Sequence, residues 1–95
     1  MREEVVDRFG NAIYLTDERW QHIVENHSKL NGCRHEVLST VRSGKRRQDN
    51  WYPDKFYYLK KFRKPRGGIK EIEVVVVFHW KRDEPNNFIL TAYQH

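Results

Sequence analysis

Alternation of apolar and polar positions with a period of two dominates the C-terminal half of the chain. From Lys55 to about Arg63, Phe56, Tyr58, Lys60 and Phe62 fall on one side, and Lys55, Tyr57, Leu59, Lys61 and Arg63 on the other. Ile69 to Lys81 predicts the longest strand. It has a fully apolar side (Ile72, Val74, Val76, Phe78, Trp80) and a mixed one (Glu73, Val75, Val77, His79, Lys81), as a central strand buried on much of both faces would have. In the last stretch, Asn87 to His95, Phe88, Leu90 and Ala92 share the core side, while Ile89, Thr91, Tyr93 and His95 share the other. Lys64-Pro65-Arg66-Gly67-Gly68 and Asp83-Glu84-Pro85-Asn86 read as the turns between these strands.

The N-terminal half changes period. Glu3 to Arg8 and Ala12 to Leu15 are short strands about a turn at Phe9-Gly10-Asn11-Ala12, a hairpin pattern. Thr16 then suits a helix N-cap, with Asp17 and Glu18 at the positive end of the helix dipole. Trp20, Ile23, Val24 and His27 recur at helical spacing and predict one apolar face of a helix from Asp17 to about Leu30, ended by Asn31-Gly32. Val37, Leu38 and Val41 mark a second helix from about His35 to Ser43, with Gly44 beyond it. The expectation is a single α+β domain over residues 1–95: an N-terminal hairpin and two helices packed on one face of a twisted antiparallel sheet of about four strands.

Composition sharpens this picture in two ways. At 95 residues the chain is short, so a core rich in large rings is needed, and aromatic residues make up 14% of it. Cys33 is the single cysteine, which excludes an intramolecular disulfide and a cysteine-based zinc cage and points to a reducing, cytoplasmic setting. No apolar run has the length of a signal peptide or a membrane span.

Charge changes the picture more. Residues 42–70 carry a net charge of +9, whereas the rest of the chain carries −4. Trp51, Tyr52, Tyr57 and Tyr58 lie inside this basic stretch. Localised positive charge beside stackable rings suits a single-stranded polyanion with exposed bases. Arg46, Arg47, Lys61 and Arg63 are the candidate backbone contacts, and Trp51 and Tyr57 the candidate stacking rings. A solvated strand pair with lysines outward, or a surface for an acidic protein partner, would use the same residues.

The final strand carries the candidate chemistry. Thr91, Tyr93 and His95 place a hydroxyl, a phenol and an imidazole on one side, although a solvated edge strand would look the same. His27 shares the apolar helical face, where a satisfied core histidine is the plainer reading. His22 sits five residues earlier, roughly 140° around the helix, so the two do not form a same-face metal pair. The histidines at 22, 27, 35, 79 and 95 match no zinc-ligand spacing. No metal and no cofactor is therefore expected.

The run Tyr14-Leu15-Thr16-Asp17-Glu18-Arg19-Trp20-Gln21-His22-Ile23, followed by Glu25-Asn26-His27 and, at the other end, Thr91-Ala92-Tyr93, resembles the phage-associated branch of the barnase–EndoU–colicin–RelE (BECR) nuclease fold. The resemblance follows the element order of nearly the whole chain. It implies helices before a four-stranded antiparallel sheet and metal-independent RNA cleavage, often by the toxin of a toxin–antitoxin or phage-conflict system. Neither the glutamate-plus-histidine set of the barnase-like branch nor the arginine-rich set of the RelE-like branch is matched. The implied catalytic positions are therefore the helix histidines, His27 and His22, together with Thr91 and Tyr93.

Imidazole is suited to proton transfer near neutral pH. His27 is accordingly the candidate acid or base, His22 is either the second or a surface residue, and Thr91 and Tyr93 hydrogen-bond the scissile phosphate or orient the attacking group. Lys60, on the aromatic side of its strand, is the candidate for transition-state charge stabilisation. The expected partners are RNA (single-stranded, tRNA or ribosome-associated mRNA) and an acidic antitoxin protein, with no membrane. A non-catalytic module that binds RNA or a partner protein is the alternative. It would have no use for a convergent His–Thr–Tyr set.

Overall fold

In the computed structural model, which describes residues 1–66 and 68–95, two helices pack on one face of a six-stranded mixed sheet. The strands are β1 (Arg2–Val6), β2 (Ala12–Thr16), β3 (Lys45–Gln48), β4 (Lys55–Arg66), β5 (Ile69–Val77) and β8 (Asn87–Gln94), in spatial order β1-β2-β8-β5-β4-β3. A separate hairpin joins β6 (Trp80–Lys81) to β7 (Glu84–Pro85). The helices are α1 (Asp17–Asn26) and α2 (Arg34–Ser43). None is long and apolar enough to cross a membrane.

The α+β class and the helix-covered sheet agree with the sequence pattern, but the sheet is larger and not wholly antiparallel. The N-terminal hairpin joins it through β2, which runs parallel to β8, with Ile13 opposite Asn87 and Tyr14 opposite Phe88. Hydrophobic alternation specifies which face of a strand is buried, not which neighbour it pairs with. The buried face gathers Ile13 and Leu15 of β2, Ile72, Val74 and Val76 of β5, Tyr58 of β4, and Ile89 and Ala92 of β8. Against them pack Ile23, Leu30, Val37 and Val41 from the helical segment.

Three expectations are corrected. The strand begun at Ile69 stops at Val77, and Arg82 and Asp83, both with positive φ (51° and 63°), close the short β6–β7 hairpin. Trp80 thereby leaves the apolar face and is exposed. In β8, Val75 pairs with Thr91 but Val76 with Ile89, so Leu90 is an inserted bulge. The insertion reverses the alternation: Asn87, Ile89 and Ala92 are buried, in place of Phe88, Leu90 and Ala92. The first helix ends early, at Asn26, and a 3-10 turn (Ser28–Leu30) follows. Asn26, Ser28 and Asn31 have short polar side chains that favour turns over helix. The expected turn at Lys64–Gly68 includes Gly67, which lies outside the described residues. Gly68 beside it has a φ of +81°.

The sheet curls around α2, which contacts β4 and β5 near one edge and β1 at the other. Asp7, just after β1, accepts a 2.5 Å hydrogen bond from Tyr58 Oη on β4 and lies 3.7 Å from Arg46 on β3. Its other oxygen accepts from the Phe9 and Asn11 amides (2.9 and 2.8 Å). Burial opposes ionisation of Asp7. The donors Tyr58, Asn11 and Phe9 outweigh it and hold the carboxyl below its ordinary value. Burial, followed by the bond to Asp7, pushes the Tyr58 phenol well above its usual range.

Candidate active site and nucleic-acid surface

Because β2 ends at Thr16, the C-terminal half of β8 has no strand on that side, and α1 and the 3-10 turn lie against it instead. An open cleft of about 430 Å³ results, lined by Arg19, His22, Asn26, His27, Leu90 and Thr91. Each element delivers its residues for a local reason. Thr16 Oγ1 accepts the Arg19 amide (3.0 Å) and starts α1 in register. Arg19, His22 and Asn26 then recur at i, i+3 and i+7, on one face. His27 is the C-cap, at φ −135° and ψ 71°, so its side chain leaves the helical path. Its ring meets the edge of Tyr93, with centroids 5.0 Å apart and planes at 76°. The β8 bulge turns Leu90 and Thr91 towards the same cleft.

Four of the sequence candidates are thus brought together: His22, His27 and Thr91 in the cleft, and Tyr93 against His27. His27 is half-buried at the end of the helix rather than inside its apolar face. His22 is exposed, 3.4 Å from the amide nitrogen of Asn26, which also donates to the His22 carbonyl (2.9 Å).

Lys60 is elsewhere. Its ammonium donates to Ser39 and Ser43 of α2 (2.7 and 2.8 Å), on the helix-covered face. It lies opposite Ile72, which lies opposite Gln94, so two strand spacings, roughly 10 Å, separate its backbone from that end of β8. The cation that does line the cleft is Arg19, which the sequence reading passed over. The helical spacing of 19, 22 and 26 is the signal that would have found it. Glu73 is a second omission: it lies opposite Tyr93 in the ladder and 3.5 Å from His95 Nε2.

The face of the sheet away from the helices connects this cleft to the basic edge. Cross-strand pairing sets Arg47, Tyr57, Val75 and Thr91 in one row, and Lys45, Leu59, Glu73 and Tyr93 in the next. Arg47 stacks on the Tyr57 ring at 4.4 Å. Trp51 is 86% exposed on a loop that is far from slack. Asp49 accepts the Trp51 and Tyr52 amides (2.8 and 3.0 Å) and the Tyr57 hydroxyl (2.5 Å). The Tyr57 hydroxyl and those two amides bring its carboxyl down to about 2, while the same bond raises the Tyr57 phenol. Lys61 and Arg63 are exposed. Arg46 departs from the expected role: it faces Asp7, with its guanidinium 3.9 Å from the Phe9 ring and 4.7 Å from Phe56.

Among the described residues, no group of three or more His, Cys, Asp or Glu side chains is placed to hold a metal ion. The chain matches no protein-family model, no curated protein and no solved structure.

Proposed function

We propose that this protein is a metal-independent endoribonuclease that lays single-stranded RNA across the helix-free face of its sheet and cuts it at the His27 cleft. One observation carries the reading: the row Arg47–Tyr57–Val75–Thr91 leads from the basic, aromatic edge into a cleft where two imidazoles, a guanidinium and a hydroxyl converge.

The chemistry is a transesterification. One imidazole takes the proton of the 2′-hydroxyl, whose oxygen attacks the phosphorus. The bond to the 5′-oxygen breaks as the other imidazole protonates it, leaving a 2′,3′-cyclic phosphate and a 5′-hydroxyl. His27, steadied by the Tyr93 edge, and the solvent-facing His22 are the two proton carriers. Arg19 supplies the positive charge for the phosphorane-like transition state, the role first given to Lys60. Thr91 orients the phosphate. Arg47, Lys61 and Arg63 hold the backbone, and Trp51 and Tyr57 stack bases.

The sequence resemblance to the phage-associated BECR nucleases supports the same reading. It extends it to a toxin acting in the cytoplasm and restrained by an acidic antitoxin. A binding module without cleavage is favoured by the rigid display of Trp51, which serves stacking whatever His27 does.

The test is incubation of purified protein with total RNA in EDTA, beside His27→Ala. Expected is cleavage that survives chelation, leaves cyclic phosphate ends and vanishes in the variant. Equal cleavage by the variant, or none by either protein, would overturn the assignment.

A further inference from the structure

Three strands across from Tyr93, where β3 begins, a second hollow of about 530 Å³ is lined by Arg8, Lys45, Lys60, Lys61, Ser43 and Glu71, among others. Four cations meet one carboxylate there. Among the described residues, Arg8, Lys45, Lys60 and Lys61 form no ion pair. Lys60 is held by the neutral hydroxyls of Ser39 and Ser43, which fix its ammonium without compensating the charge. The backbone around it is fixed as well. A Cβ on Gly44 would lie 2.4 Å from the Thr40 carbonyl oxygen and 2.8 Å from that of Leu59, so the end of α2 sits directly on β4.

Like charges gathered in one hollow repel, and a bound anion removes that cost. A backbone phosphodiester carries one negative charge, whereas a phosphomonoester carries about 1.5 to 2 at neutral pH. Four cations against the one carboxylate of Glu71 leave a net charge of +3 in the hollow, which fits the second better. The row Lys45–Leu59–Glu73–Tyr93 joins this hollow to the His27 cleft across three strand spacings, roughly 14 Å.

We infer that the hollow binds a terminal phosphate, the phosphomonoester at the end of a nucleic-acid strand lying on the sheet. The strand rests on the ribonuclease reading; the phosphate rests on the hollow itself. A strand so anchored meets the cleft at a fixed distance from its phosphorylated end, which makes the enzyme selective for ends.

Binding separates the sources of phosphate. The probes are 2′-O-methyl oligonucleotides, which cannot be cut by attack of the 2′-oxygen, bearing a 5′-phosphate, a 3′-phosphate or neither, and inorganic phosphate alone. One phosphorylated oligonucleotide should bind roughly tenfold tighter than the unphosphorylated one, the ratio expected of one charge-assisted contact. Lys45→Ala combined with Lys61→Ala, both exposed positions, should erase that ratio while thermal melting is retained. Equal affinity for all three oligonucleotides, or a ratio that survives the double variant, would overturn the inference. Inorganic phosphate binding as tightly as the oligonucleotide would overturn the strand-end assignment. EDTA-resistant cleavage of RNA with no end preference in binding would overturn it too, and leave the ribonuclease reading standing.

Discussion

Two polar clusters sit at different places in this sheet and serve opposite ends. Around Asp7, every group has its partner: the carboxylate takes donors from Tyr58, Asn11 and Phe9, and Arg46 supplies the countercharge. The side chain of Asp7 is completely buried. Around His27, the cleft is open to solvent, and Arg19, His22 and Thr91 face it beside an imidazole that meets the edge of Tyr93. A buried polar group must be satisfied within the protein or it costs stability. One left facing an open cleft keeps its capacity for something that arrives. The comparison separates the polar residues that close the fold from those that offer chemistry.

The two clusters should therefore respond oppositely to mutation. His27→Ala should reduce RNA cleavage by roughly 10²–10⁴-fold, the usual contribution of a proton-transfer residue. It should cost no more than about 1.5 kcal/mol in urea denaturation, the upper value of one aromatic edge contact. Tyr58→Phe should do the reverse, by removing a donor from a buried carboxylate. A loss of roughly 2–3 kcal/mol in denaturation is expected, with cleavage per folded molecule intact. If Tyr58→Phe instead abolishes cleavage in a fully folded protein, the separation between the clusters fails.

Gly44→Ala tests the contact that positions Lys60. Its new Cβ meets backbone oxygens, which cannot swing aside, so the variant should lose about 1–3 kcal/mol.

Acid and base titrations read the Asp7 cluster together with the exposed Asp49–Tyr57 pair, and Asp7→Asn isolates the first. The folded-state value of Asp7 lies below its unfolded one, so its stabilisation is present above the ordinary carboxylate range. It is lost as pH falls through the depressed value. The Tyr58 value is raised, so its stabilisation holds below the ordinary phenol value near 10 and is lost as pH rises beyond it. Asp7→Asn should flatten the acid limb of stability against pH. An unchanged acid limb in that variant would mean that other carboxylates govern it.

The smallest structural effect is expected at Trp51. With the ring almost wholly exposed, Trp51→Ala should shift stability by no more than about 0.5 kcal/mol. Affinity for single-stranded RNA should weaken by the roughly 1–3 kcal/mol of one base stack. Undiminished RNA affinity would leave the ring without a stacking role.

Much of the architecture is legible from residue order. Thr16 before Asp17-Glu18 marks the start of α1, because a hydroxyl that can accept a helix amide is needed there. Period-two alternation marks β4 and β5, because each has one face on a core. The pairing of His27 with the Thr91–Tyr93 stretch follows only from the two motifs considered together. Spacing alone placed His27 inside a helical face, and it takes the C-cap backbone to turn the ring onto Tyr93.

What the sequence could not decide depends on contacts between distant segments. Alternation is a local property, and a single inserted residue, Leu90, reverses it without leaving a compositional mark. Arg46 and Arg47 are neighbours in a basic run. Opposite sides of β3 send one to Asp7 and the other onto Tyr57, because Asp7 arrives from the far edge of a sheet that curls. Arg19 lines the cleft and Lys60 lies away from it for a similar reason. Charge is written in the sequence, but its distance from a particular imidazole is set by strand order, which only the folded chain fixes.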